Sequence, residues 1–118
     1  MHRLRPTLLR AALWAWLSAR RARRVVRAGV PQPGSLRPPP PLPAEARRAV
    51  AAVLRRTHAT CLVEALVLQA WDAAHGQRRD VVIGVTGAQD FQAHAWLDGD
   101  PIASTERFAE LLRVPSPT

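Results

Sequence analysis

The sequence predicts an α+β fold, with helices packed on a small antiparallel sheet. Three observations lead there. Apolar residues recur at helical spacing up to residue 75, then give way to a β-branched run and a two-residue alternation. Helices come first and strands after, which segregates the two kinds of layer. The chain has 118 residues and 47 % apolar composition, enough for one domain with a modest core.

Residues 6–29 are predicted as a helix. Pro6 suits its first turn. Leu8, Leu9, Ala12, Leu13, Trp16 and Leu17 give the apolar spacing, and Arg20, Arg21, Arg23, Arg24 and Arg27 load the last turns, where cations complement the helix dipole. The apolar stretch at 11–17 is far short of the ~20 residues a membrane span needs. The arginines also sit where a signal peptide would be cleaved, so packing or partner docking is expected and membrane association is not. Residues 31–43 hold seven prolines and read as an extended linker. The expected organisation is a basic helix at 1–30, a Pro-rich linker at 31–43 and a domain at 44–118.

Residues 44–56 form a second amphipathic helix, with Ala46, Ala49, Val50, Val53 and Leu54 as its apolar stripe. Thr60 is an N-cap for a third helix at 61–75, and Gly76 is its stop. Apolar residues cover two faces of that helix, so it is expected to be central and mostly buried. The run VVIGV within 80–86 reads as an interior strand. Residues 91–97 alternate, with Phe91, Ala93, Ala95 and Leu97 on one side and Gln92, His94 and Trp96 on the other. Asp98-Gly99 signals a hairpin turn, leading to a third strand from 101 to 103 and a short closing helix at 105–113.

Charge is unevenly placed. Residues 1–44 carry nine Arg and no acid; residues 45–118 carry eight Arg and nine acids. The net charge of +8 is therefore a property of the N-terminal arm. A nucleic-acid protein is the first class such a charge suggests. The near-neutral remainder and the lack of a groove-reading motif argue against it, and no nucleic-acid partner is expected. One cysteine excludes an internal disulfide, a zinc ribbon and a CxxC pair, and suits a reducing, cytoplasmic setting. The histidines lack zinc spacing, the acids form no calcium loop and no phosphate-binding glycine loop is present, so no metal or cofactor is expected.

Cys61 and His94 carry the chemistry. Cys61 falls at the first helical position after an N-cap, where free backbone N–H groups stabilise a thiolate and can hold an oxyanion. A histidine on a later strand is the Cys–His layout in which imidazole takes the thiol proton. A small buried cysteine and a structural histidine are the plainer alternatives. His58 is a rival base on a loop, and His75 reads as a partner of a helix C-terminus.

The segments TCLVEALVLQAW, VVIGV and FQAHAWLDGDP, in this order and spacing, resemble the transglutaminase-like cysteine peptidases that mature lasso peptides, the C-terminal half of the microcin-maturation protein B group. The resemblance covers roughly residues 45–112. It implies a transglutaminase-like (papain-like) fold and a thiol peptidase, in stand-alone form, that removes the leader from a ribosomally made precursor peptide. By position Cys61 would be the nucleophile and His94 the base. The implied partners are the precursor, a separate leader-recognition protein and an ATP-using lasso cyclase.

The family places an acid on the strand after the histidine, and here the match fails. Ala103 or Thr105 is expected opposite His94, and neither is acidic. Glu106 is the nearest acid of that region and the chosen third residue; Asp98 and Asp100 read as turn acids, and Ser104 or no third group are alternatives. Asp98 shares the parity of His94, yet four residues of strand span about 13 Å. Trp96 either walls the site or packs the sheet, Gln92 is a candidate oxyanion donor, and Gln69 reads as structural. Two other classes stay open: a catalytically degenerate scaffold of this fold, and a basic module for nucleic acid or an anionic surface.

Overall fold

The computed structural model describes residues 5–86, 92–101 and 108–117. Three helices pack on a three-stranded antiparallel sheet, as the sequence predicts. Helix α1 spans Arg5–Ala28. Its inner face consists of Ala11, Ala15, Ala19 and Ala22 with Trp14 and Ser18, all buried. These small side chains let it lie close against the next two helices. The leucines point the other way. Leu9 is 67 % and Leu13 58 % exposed, and Leu8, Trp16 and Leu17 are exposed beside them. The apolar spacing that predicts this helix therefore marks its outer face.

Residues 31–43 form neither helix nor strand, as their prolines require. They are held to the helices at three points. Trp14 Nε1 donates to the Arg37 carbonyl at 3.1 Å, Arg21 Nε donates to the Ser35 carbonyl at 2.7 Å, and the His75 ring lies 2.8 Å from the Leu42 carbonyl. A 3₁₀ turn at Ala44–Ala46 leads into α2, Arg47–Arg56. Val50 and Leu54 of α2 are fully buried. The helix closes with Ala59 N–H bonded to the Leu54 carbonyl and His58 N–H to that of Arg55. His58 holds the left-handed position of this motif at φ +53°, where glycine is usual.

Helix α3, Cys61–Ala74, is the centre of the core, as the breadth of its apolar surface predicts. Val63 and every residue from Ala65 to Asp72 are buried. Trp71 packs against Trp14 of α1 with ring centroids 5.7 Å apart. The one buried charge of this stretch, Asp72, is bound by Arg47 at 2.8 and 3.0 Å and by Arg79 at 2.8 Å. Burial alone would raise its carboxyl; the two guanidinium groups outweigh that and hold it below the usual 3.8. Gln69 is equally buried, and its amide donates to the carbonyls of Arg79 and Val114, both at 2.9 Å. It is structural, tying α3 to the end of the sheet.

Strand β1 (Val81–Val85) lies between β2 (Ala93–Leu97) and β3 (Ala109–Val114). Val81, Ala95, Leu97 and Val114 pack into the core with α3. The opposite parity (Gly84, His94, Trp96) forms the outer face, where the rings of His94, Trp96 and Phe108 meet at 5.5 to 5.8 Å. Gly84 is required there, because a Cβ would fall 2.9 Å from the Trp96 ring and 3.0 Å from Phe108 Cβ. On the β3 side a bulge at this point leaves Leu111 unmatched between Glu110 and Leu112.

Two expectations are corrected. The closing helix predicted at 105–113 is a strand over Ala109–Val114. Six residues cannot distinguish the two periods, and β1, apolar on both faces, needs a partner on each edge. The turn at Asp98-Gly99 exists, with Gly99 at φ +93°. However, the strand that follows it in the described chain pairs with β1 and not with β2. On its β1 side His94 stands opposite Gly84. Most of the strand predicted at 101–103, together with Ala103 and Thr105, lies outside the described residues.

Candidate active site

Cys61 is the first residue of α3 and is exposed. Thr60 sets it there. Its extended backbone ends the preceding loop, and its hydroxyl accepts from Val63 N–H at 3.3 Å. The Thr60 carbonyl takes Glu64 N–H at 2.9 Å. The first two amides of the helix, those of Cys61 and Leu62, have no acceptor among the described residues. They belong to the first turn of the helix, at the positive end of its dipole.

His94 is on β2, which packs against α3. Cys61 and His94 line the same cleft, with a volume of about 370 Å³. Glu64, Ala65 and Leu68 of α3 form one wall with Ala59 of the preceding loop, and Ala95, Trp96, Leu97, Asp100 and Pro101 complete the other. Ala95 and Leu97 belong to the inner face of the sheet, His94 and Trp96 to the outer one. The cleft therefore runs along β2, the edge strand among the described residues, where residues of both faces reach it. No hydrogen bond joins Cys61 to His94 in this conformation. The His94 ring instead stacks on Trp96 at 5.8 Å and tilts against Phe108 at 5.5 Å.

The other sequence candidates separate cleanly. His58 is exposed and is not among the residues lining the cleft. Gln92 closes the β1–β2 connection through its backbone, exchanging bonds with Thr86 at 2.9 Å. Trp96 walls the cleft. Asp98 is bound by Arg113 at 2.8 Å and Asp100 is paired with Arg79, so both turn acids hold the end of the sheet. Arg113 also grips Glu110 at 2.7 Å, whose carboxyl is thereby held below the usual 4.5. Glu106 and Ser104 lie outside the described residues. Sequence reasoning missed Glu64, which lines the cleft one turn beyond Cys61. The signal was available: a spacing of three puts both on one helix face.

Among the described residues no group of His, Cys, Asp and Glu is arranged to hold a metal ion, and no helix is long and apolar enough to cross a membrane.

A capped helix bearing a cysteine at its first residue, set against a strand bearing a histidine, is the arrangement to which comparison with known proteins adds a family. The model of the transglutaminase-like superfamily matches residues 7–113, and the chain belongs to that superfamily. The superfamily includes cysteine peptidases and transglutaminases. The match takes in α1 and the Pro-rich segment as well as the helices and strands after them. Neither a curated protein nor a solved structure matches the chain.

Proposed function

We propose that the chain is a cysteine peptidase that removes the leader from a ribosomally made lasso-peptide precursor. One observation carries the reading: Cys61 at the start of a capped helix and His94 on the adjacent strand line one cleft, in a chain of the transglutaminase-like superfamily. His94 takes the Sγ proton of Cys61. The thiolate adds to the scissile carbonyl carbon, and the C=O electron pair moves to oxygen, where the free amides of Cys61 and Leu62 receive it. Collapse expels the amine, which takes the proton back from His94. Water then hydrolyses the thioester, returning the thiol. Glu106 is kept as the proposed group that orients His94. The proposed partners are a leader-recognition protein, which grips the precursor, and a macrolactam-forming cyclase, which uses the product.

Reconstitution with the precursor and the two partner proteins, read by mass spectrometry, tests this. The wild-type chain is expected to release the leader, and Cys61→Ala is expected to release none while keeping its far-UV circular dichroism. Cleavage by Cys61→Ala, or none by the wild type, rejects the proposal. A second reading, a non-catalytic scaffold, is favoured by the packing of the His94 ring on Trp96 and Phe108 without a bond to Cys61. It predicts a substrate bound equally well by wild type and Cys61→Ala and cut by neither.

A further inference from the structure

The outer side of α1 and the Pro-rich segment enclose a second groove, of about 410 Å³, within the stretch 1–44 that contains no acid. Arg20, Arg21, Arg24 and Arg37 line it, over a floor of Trp14, Leu17 and the buried Ser18. Its two walls are fixed to one another, since Trp14 Nε1 bonds the Arg37 carbonyl and Arg21 Nε the Ser35 carbonyl. Arg20 is held as well, its guanidinium 5.0 Å from the centre of the Trp16 ring. Every ion pair among the described residues involves Arg47, Arg79 or Arg113, so the four arginines of the groove meet no carboxylate there.

From the groove the exposed surface of α1 continues along one stripe. Arg20, Arg24 and Arg27 occupy its C-terminal half and Leu9, Leu13 and Trp16 its N-terminal half, at spacings of three and four. Unpaired guanidinium groups call for carboxylates, and exposed leucines in line with them call for apolar side chains. We propose that this groove is the docking site of an acidic, amphipathic segment of another protein. Nucleic acid would match the arginines and leave the leucines wet. A bilayer would match both chemistries but is flat, whereas Arg37 faces α1 from the far wall of a groove. The proposal does not depend on the peptidase reading, because the groove lies on α1 and the cleft on α3 and β2.

The test is fluorescence anisotropy of the full chain with a labelled peptide of alternating glutamate and leucine. Controls are its glutamine counterpart, an oligothymidylate of equal charge and phosphatidylserine vesicles. Saturable binding of the acidic peptide is expected, with loss of about tenfold in the triple variant R20Q/R24Q/R37Q. A loss of several-fold is expected in Leu17→Ser, with little binding of the glutamine peptide. All four positions are exposed, so the fold is expected to survive, and unchanged far-UV circular dichroism checks that it does. Oligothymidylate or vesicles bound as tightly as the acidic peptide, or peptide binding unchanged in both variants, would overturn the proposal.

Discussion

Helices α3 and α1 use apolar residues in opposite ways. In α3 the large side chains are inside: Leu66, Val67 and Trp71 are buried, and the helix touches both neighbouring helices and the sheet. In α1 alanines are inside, and Leu9, Leu13 and Leu17 are left in solvent. The difference separates two demands on sequence. The pattern of α3 is set by the core, whereas the outward leucines of α1 lie outside the core cluster. Exposed leucines and a tryptophan in one stripe are the observation on which the proposed docking site rests.

The contrast can be broken at either helix. The largest effect is expected from Trp71→Ala, which removes the most voluminous fully buried side chain. It should cost about 3–5 kcal/mol in urea denaturation, a large share of the stability of a small domain. Two neighbouring positions of α1 sharpen the comparison. Ala15→Leu, at a site with no exposure, should cost about 1–3 kcal/mol by overpacking. Leu13→Ser, two residues earlier and outward, should stay within about 0.5 kcal/mol. Equal losses from the two would show that α1 has no outer face. His58→Gly should raise stability by about 0.5–1 kcal/mol, since its φ of +53° suits glycine better.

The smallest effect depends on pH. His75, just past the end of α3, has Nδ1 and Nε2 each 2.8 Å from a carbonyl oxygen, of Trp71 and Leu42 respectively. Both nitrogens donate only in the charged ring. Trp71 and then Leu42 thus raise its pKa above the usual 6.5, against opposing burial and with added help from Asp72 and Glu45. The tie between α3 and the Pro-rich segment is complete below pH 6.5 and is lost as pH rises through the higher folded-state value. Midpoints of thermal unfolding should fall over that window in the wild type and stay flat in His75→Gln.

How much of this was legible in the sequence follows from the same contrast. Helix α3, its Thr60 cap and the strand β1 were readable because burial, capping and period all agree there. Strand β3 was not. AELLRV has two adjacent leucines and no alternation, and it becomes a strand because β1 has an edge to cover, which is tertiary information. The inward face of α1 was hidden for a related reason: alanines rank low in apolar spacing but win where helices approach closely. Cys61 and His94 stand out in the sequence as candidates by residue type and position. That they line one cleft along a sheet edge was not legible there, because it depends on β2 lying at the edge beside α3.

The central claim is that Cys61 is an activated nucleophile served by His94. The most direct measurement is the rate of Cys61 alkylation by iodoacetamide near neutral pH, in the native chain, in the urea-unfolded chain and in native His94→Ala. The account predicts faster reaction in the native chain than in the unfolded one, and a drop of at least about tenfold on removing the imidazole. Equal rates in all three would contradict it.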